Sequence, residues 1–109
     1  MAAALSEPKL LHGEKHAKRV LQVLDEITAS IENVEDRRSE EFKALRKGLG
    51  YCWSVAVVAS PEEGKKLMER WLSSDDTEVL WIMKENLRKK RLTRLDAEWV
   101  EGWKVRLGI

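Results

Sequence analysis

The sequence predicts an all-α domain of about five helices, arranged as helical hairpins. Apolar residues recur every three or four positions through most of the chain, which is the spacing that places them on one face of a helix. Only two prolines and six glycines occur among 109 residues, so few positions interrupt this pattern. Two helix-start signals within residues 60–90 indicate that two of the helices follow each other closely in the chain.

The chain begins with a tail at residues 1–14, where Pro8 and Gly13 break any regular pattern and order is left open. A first amphipathic helix is predicted over residues 15–33, and it opens a domain that spans residues 15–109. Its apolar stripe consists of Ala17, Val20, Leu24, Ile27 and Ile31.

A second helix begins near Asp36 or Ser39, either of which can cap it, and continues to Ala59. Its second half is apolar on all sides, as is typical of a helix buried on more than one side. We therefore expect it to be the central helix. Gly48 and Gly50 lie inside it, where each costs about 0.5 to 1 kcal/mol relative to alanine, so they indicate a close neighbour or a bend.

Residues 60–90 contain a third and a fourth helix joined by a polar turn. Ser60 with Pro61 begins the third helix, and Asp75 with Glu78 begins the fourth, so that a side-chain oxygen can accept the free N–H groups of each first turn. The apolar stripes are Gly64, Leu67, Met68, Trp71 and Leu72, then Val79, Ile82, Met83 and Leu87. Such a pair cannot bury both stripes alone and requires a neighbour.

The last part of the chain is predicted to close the stack. Residues 91–95 are interpreted as a turn, and Asp96 can cap a final short helix. On that helix Trp99, Val100, Trp103 and Leu107 share one face. This face either caps the stack or contacts a further domain or a second subunit.

Residues 60–90 resemble a HEAT repeat, in which a leucine-rich first helix and an acidic turn precede a helix with an early valine and a late leucine. The matching residues are Leu67, Leu72, Asp75, Asp76, Val79, Met83 and Leu87. Leu80 replaces the arginine usual in that family, and Asn86 replaces the usual alanine. A shift of 38 residues aligns Phe42, Leu45, Arg46 and Leu49 with Leu80, Met83, Lys84 and Leu87, a period close to that of HEAT repeats.

The resemblance implies a short α-α superhelix. Residues 15–90 would form two repeats and residues 96–107 a half repeat or cap, with the second helix of each repeat lining a concave binding surface. A four- or five-helix bundle of unrelated topology fits the same degenerate pattern and stays open as the alternative.

Five residues are predicted to form a binding strip on that concave surface: Trp81, Lys84, Arg88, Tyr51 and Lys47. On the fourth helix, Trp81 lies nearly opposite Val79 and Met83, among charged residues. On the second helix, Tyr51 similarly lies opposite the main stripe. Tryptophan and arginine are typical anchors of protein interfaces. The alternative is that Trp81 packs as ordinary core beneath the tail or a loop.

The function expected from these features is a non-enzymatic module that binds an unidentified protein partner. The alternative is binding of the phosphate backbone of nucleic acid through Lys84, Arg88, Lys89, Arg91 and Arg94. A basic helix end is also what the helix dipole favours, so this run does not decide between them. A third possibility, an enzyme related to HEAT-like lyases or alkylpurine DNA glycosylases, lacks an identifiable nucleophile and base.

Composition narrows the class of protein further. The net charge of +1 gives no overall attraction to nucleic acid or membrane. A single cysteine, Cys52, fits a reducing compartment and a buried structural thiol. We expect a soluble cytoplasmic protein without signal peptide or cofactor, present as a monomer or weak dimer. His12 and His16 have the spacing of metal ligands, with Glu14 nearby. Zinc would need a further ligand, and Gly13 stands where a metalloprotease has glutamate, so we interpret both histidines as exposed residues of the tail.

Overall fold

The computed structural model describes residues 14–109, which form six helices and no strand. They are α1 (Glu14–Ile31), α2 (Glu40–Ala59), α3 (Pro61–Leu72), α4 (Thr77–Leu87), α5 (Lys90–Leu95) and α6 (Ala97–Leu107). The all-α prediction is confirmed. Of the predicted tail, residues 1–13 lie outside the described residues and Glu14 already begins α1. None of the helices in the described part of the chain is long and apolar enough to cross a membrane.

Helix α2 lies at the centre of the fold, as predicted. Residues 52–57 are buried without interruption, so this part of the helix is covered on every side. Helices α1, α3, α4 and α5 pack around it. The fully buried Trp53 donates from Nε1 to Thr28 Oγ1 at 3.0 Å, and Thr28 donates to the carbonyl of Leu24 at 2.7 Å. The indole N–H is therefore satisfied inside the core, where an unpaired donor would be costly.

Side chains cap α2 and α4, and one predicted cap is wrong by a residue. Ser39 Oγ accepts the N–H three positions on at 3.1 Å, as predicted for one of the two candidates. For α4 the cap is Asp76 rather than Asp75, with Oδ1 accepting the N–H groups two and three positions on at 2.9 and 3.3 Å. The Ser60 side chain makes no capping bond to α3, contrary to the prediction. Pro61 occupies the first turn there, where a missing N–H costs nothing.

Two glycines set how closely helices approach α2. A Cβ added at Gly64 would lie 2.7 Å from the Cα of Val57, so a side chain there would push α3 away from α2. At Gly50 the added Cβ would lie 3.4 Å from the ring of Trp81 on α4. No such neighbour lies within 4 Å of a Cβ built at Gly48. The predicted close approach is therefore present at Gly50 and not at Gly48.

Arg37 connects the α1–α2 pair to the α3–α4 pair. Its guanidinium donates to Asp76 Oδ1 at 2.8 Å and Oδ2 at 2.7 Å. It also donates to the carbonyl of Ile31, the last residue of α1, at 2.8 Å and to that of Val34 beyond the helix at 3.2 Å. These hydrogen bonds from Arg37 hold the pKa of Asp76 below its usual value of 3.8. A single side chain thus satisfies the end of α1 and fixes the start of α4.

The predicted turn at residues 91–95 is instead α5, a helix of six residues whose Leu92 is fully buried. So short a helix has too few positions for the period of its apolar residues to distinguish it from a turn. Asp96 then caps α6, as predicted, by accepting the N–H of Trp99 at 3.1 Å. On α6 Val100 is buried, while Trp99, Trp103 and Leu107 are half-buried against the core.

Candidate binding surface

Helices α2 and α4 lie side by side and run in the same direction. Near their starts, Arg46 Nη1 donates to Glu78 Oε2 at 3.0 Å. Near their ends, the buried Asn86 accepts the backbone N–H of Ser54 at 2.8 Å and donates to the carbonyl of Leu49 at 2.9 Å. We name the solvent side of this contact the α2–α4 face. Its residues are Arg46, Lys47 and Tyr51 of α2 and Trp81, Lys84 and Arg88 of α4.

Trp81 is half-buried on the α2–α4 face. The guanidinium carbon of Arg46 lies 4.0 Å from the centroid of its ring, in the geometry of a cation–π contact. The edge of the ring packs against Gly50, which leaves room because it has no side chain. Trp81 is therefore neither a freely exposed anchor nor ordinary core: one part of its ring is fixed in place and the rest is accessible.

Tyr51 of α2 makes a second contact of the same kind. It is half-buried, and the guanidinium carbon of Arg91 lies 4.7 Å from its ring centroid. Arg91 Nη1 also donates to Ser54 Oγ at 3.0 Å, and Ser54 Oγ donates to the Tyr51 carbonyl at 2.7 Å. Arg91 comes from α5, so the helix that was predicted to be a turn supplies the cation that orders this tyrosine.

The remaining predicted binding residues are basic side chains at the solvent edge of the same face. Arg88 is exposed at the end of α4 and pairs with Glu85 at 3.3 Å. Lys47 is exposed and Lys84 is half-buried. Neither lysine is in an ion pair within residues 14–109. Since the two glutamates near this face are paired with arginines, these two lysines leave it with uncompensated positive charge.

A shallow pocket of about 230 Å³ opens on α4 beside Trp81. It is lined by Thr77, Leu80, Trp81 and Lys84. Arg46 does not line it, so Trp81 contributes a part of its ring that Arg46 leaves uncovered. The pocket therefore combines two apolar walls with one ammonium group.

Positive charge continues just beyond α4. Residues 86–95 contain five basic side chains and no carboxylate: Arg88, Lys89, Lys90, Arg91 and Arg94. Among them only Arg88 forms an ion pair within the part of the chain that the structure describes. A chain with a net charge of +1 thus concentrates positive charge at the end of α4 and in α5.

Arg46 is the residue of this face that sequence reasoning missed. The 38-residue alignment pairs Arg46 with Lys84, whereas the structure places it over Trp81, three residues earlier and almost one helical turn away. The available signal was Gly50, four residues after Arg46 on the same side of α2. A position without a side chain leaves space for a large ring from the neighbouring helix.

Two histidines with the spacing of metal ligands were the other candidate site in the sequence. Residues 14–109 hold no group of three or more His, Cys, Asp or Glu side chains that could bind a metal ion. His16 is exposed on α1, and His12 lies outside the described residues.

No family model, curated protein or solved structure matches the chain.

Proposed function

We propose that this chain is a non-enzymatic module that binds a protein partner through the α2–α4 face. The observation that supports it is that Trp81 and Tyr51 each lie half-exposed beneath an arginine, beside lysines without a carboxylate partner. Tryptophan, tyrosine and arginine most often dominate the binding energy of protein interfaces. Because these rings are already held in place, a partner would lose little side-chain entropy by ordering them.

A short superhelix of HEAT type is the architecture we propose for presenting this face. Its support is that α2 and α4 are parallel neighbours, as the second helices of two successive hairpins would be. The contacts of Arg37 with Asp76 and of Asn86 with Ser54 join the two hairpins. We further propose that the protein acts in the cytoplasm as a monomer or weak dimer, in keeping with its single buried thiol, Cys52.

Affinity capture with matched variants tests this function. The immobilised full chain is compared with Trp81→Ala, with Lys84→Glu and with Lys66→Glu, a control on the exposed side of α3. A partner retained by wild type and by Lys66→Glu is identified, purified and titrated. We expect Trp81→Ala and Lys84→Glu each to raise its Kd by about tenfold or more, as loss of an interface anchor does. Unchanged affinity in both variants would contradict the proposal. Lys84 is half-buried at the solvent edge of the face, so Lys84→Glu keeps the test valid if Trp81→Ala lowers stability.

Nucleic-acid binding is the second candidate, favoured by the basic run in residues 86–95. Phosphate contacts release counterions, so the affinity would fall steeply as salt is raised. The test is a titration of labelled duplex and single-stranded DNA at two salt concentrations. Salt-sensitive binding that is lost in the double variant Lys84→Glu/Arg88→Glu would support this candidate over a protein partner. Absence of binding at low salt would exclude it.

A further inference from the structure

We infer that the pocket beside Trp81 takes one apolar side chain of an acidic peptide segment, with a carboxylate of that segment paired to Lys84. This inference rests on the proposed function, because it names the kind of partner that the α2–α4 face would bind. The proposed occupant is a protein segment that carries a carboxylate close to an apolar residue.

The size of the pocket indicates a single side chain. At about 230 Å³ it is several times the roughly 30 Å³ that one water molecule takes up in the liquid, so it has room for more than solvent. It is smaller than the 300 to 1,000 Å³ typical of sites that enclose a whole small ligand or cofactor. Leu80 and the uncovered part of the Trp81 ring form apolar walls that an apolar group would remove from water.

The charges around the pocket determine the sign of the partner. Lys84 lines it and has no carboxylate partner among the described residues. Two acidic side chains of α4, Glu78 and Glu85, are already paired with Arg46 and Arg88. A carboxylate of the bound segment would be attracted to Lys84, and this pairing would also fix the direction of the bound chain.

The same geometry disfavours a nucleic acid as the occupant of this pocket. Only one cation lines it, whereas a phosphate backbone binds best along a row of cations such as that in residues 86–95. A base that stacked on Trp81 would also compete with Arg46, which already covers the ring at 4.0 Å. Polyanions would therefore favour the end of α4 over its middle.

The experiment uses labelled short peptides of Asp, Glu and Ser with one central residue, either Leu or Ser, titrated into the full chain. We expect the Leu peptide to bind about tenfold or more tightly than the Ser peptide, because a leucine side chain leaves water. Leu80→Ser should remove this preference, and Lys84→Glu should abolish binding. The control Lys90→Glu makes the same charge change at an exposed position outside the pocket and should leave the preference intact.

Equal binding of the Leu and Ser peptides would overturn the inference. The inference would also fail if Lys90→Glu lost binding while Lys84→Glu kept it. The anion site would then be the basic run beyond α4. These failures are distinct from failure of the proposed function. If a captured protein partner still required Trp81 and Lys84, the proposed function would stand and only the inference about the pocket would be wrong.

Discussion

Asn86 Oδ1 accepts a hydrogen bond from the backbone N–H of Ser54 at 2.8 Å, inside the contact between α2 and α4. Asn86 is fully buried, and its Nδ2 donates to the carbonyls of Leu49 and Ile82. Replacing it by leucine keeps the volume and removes every one of these bonds. We expect Asn86→Leu to lower the free energy of unfolding by about 1 to 3 kcal/mol, the cost of buried polar groups left unpaired. Urea denaturation measures this change.

The control for this prediction is Asn33→Ala. Asn33 is exposed in the turn after α1, and its hydrogen bond there is donated by its backbone N–H and not by its side chain. Its substitution should change stability by less than about 0.5 kcal/mol, as surface substitutions usually do. If Asn86→Leu proved as stable as wild type, the side chain of Asn86 would not be what joins α2 to α4.

The ion pair between Asp76 and Arg37 should be tested by Asp76→Asn. Asparagine can still cap α4, so this change isolates the charge. Because the pair is mostly buried and bidentate, we expect a loss of about 1 to 3 kcal/mol at neutral pH. The neighbouring Asp75→Asn is the matched control, since Asp75 is exposed and in no ion pair within the described region.

The same pair predicts how stability depends on pH. The folded state lowers the pKa of Asp76 because Arg37 donates hydrogen bonds to its carboxylate. Its contribution is therefore complete above the ordinary aspartate pKa of 3.8, and it is lost as the pH falls below 3.8 through the lowered folded-state value. In urea titrations at a series of pH values, the difference between wild type and Asp76→Asn should shrink over that interval. A constant difference would mean that the mutation acts through something other than this charge.

Two glycine substitutions should have opposite effects on stability. In Gly64→Ala the new Cβ would lie 2.7 Å from the Cα of Val57, and a backbone atom in a helix cannot move aside easily. We expect a loss of about 1 to 2 kcal/mol, because overpacking outweighs the better helix propensity of alanine. In Gly48→Ala no such neighbour lies within 4 Å, so only the propensity changes and stability should rise by about 0.5 to 1 kcal/mol. The midpoints of urea unfolding compare the two, and a loss in both would indicate that α2 needs a glycine bend at Gly48.

The helices and their buried faces were predictable because the spacing of apolar residues can be read within each segment, without knowing which other segments it contacts. The uninterrupted apolar run of α2 predicted a central helix, and residues 52–57 are buried on all sides. The start of a helix is less well determined, since Asp75 and Asp76 are both good caps by residue type. In the structure Asp76 is the cap, and it also pairs with Arg37, a contact that the sequence does not reveal. For α5, six residues carry too little pattern to predict a helix.

The partners of the site residues were not predictable from the same information. The helical wheel places Trp81 away from the main stripe of α4 but does not determine which residue of α2 faces it. That register depends on one small residue, Gly50, and on the length of the Arg46 side chain, which reaches the ring. The 38-residue alignment matched hydrophobic positions and paired Arg46 with Lys84, nearly one helical turn from Trp81, which Arg46 contacts in the structure.

Helix α6 is less deeply buried than α2, so we expect it to open more easily. Val100 is the one fully buried residue of α6, three of its apolar side chains are half-buried against the core, and polar contacts with α3 complete the attachment. Lys65 donates to the carboxylate of Asp96, and Trp99 Nε1 donates to Glu69 at 2.8 Å. Asp96→Ala removes both the cap of α6 and the contact with Lys65, so amides of residues 97–107 should exchange hydrogen faster while those of α2 stay protected.

Glu98→Ala is the control for this prediction, because Glu98 is exposed in the first turn of the same helix. It should leave the exchange of α6 close to that of wild type. The hydrogen bond from Lys65 lowers the pKa of Asp96, so the cap should persist in wild type until the pH falls below 3.8. Faster exchange throughout the chain in Asp96→Ala would contradict a local effect, since it would mean that α6 unfolds only together with α2.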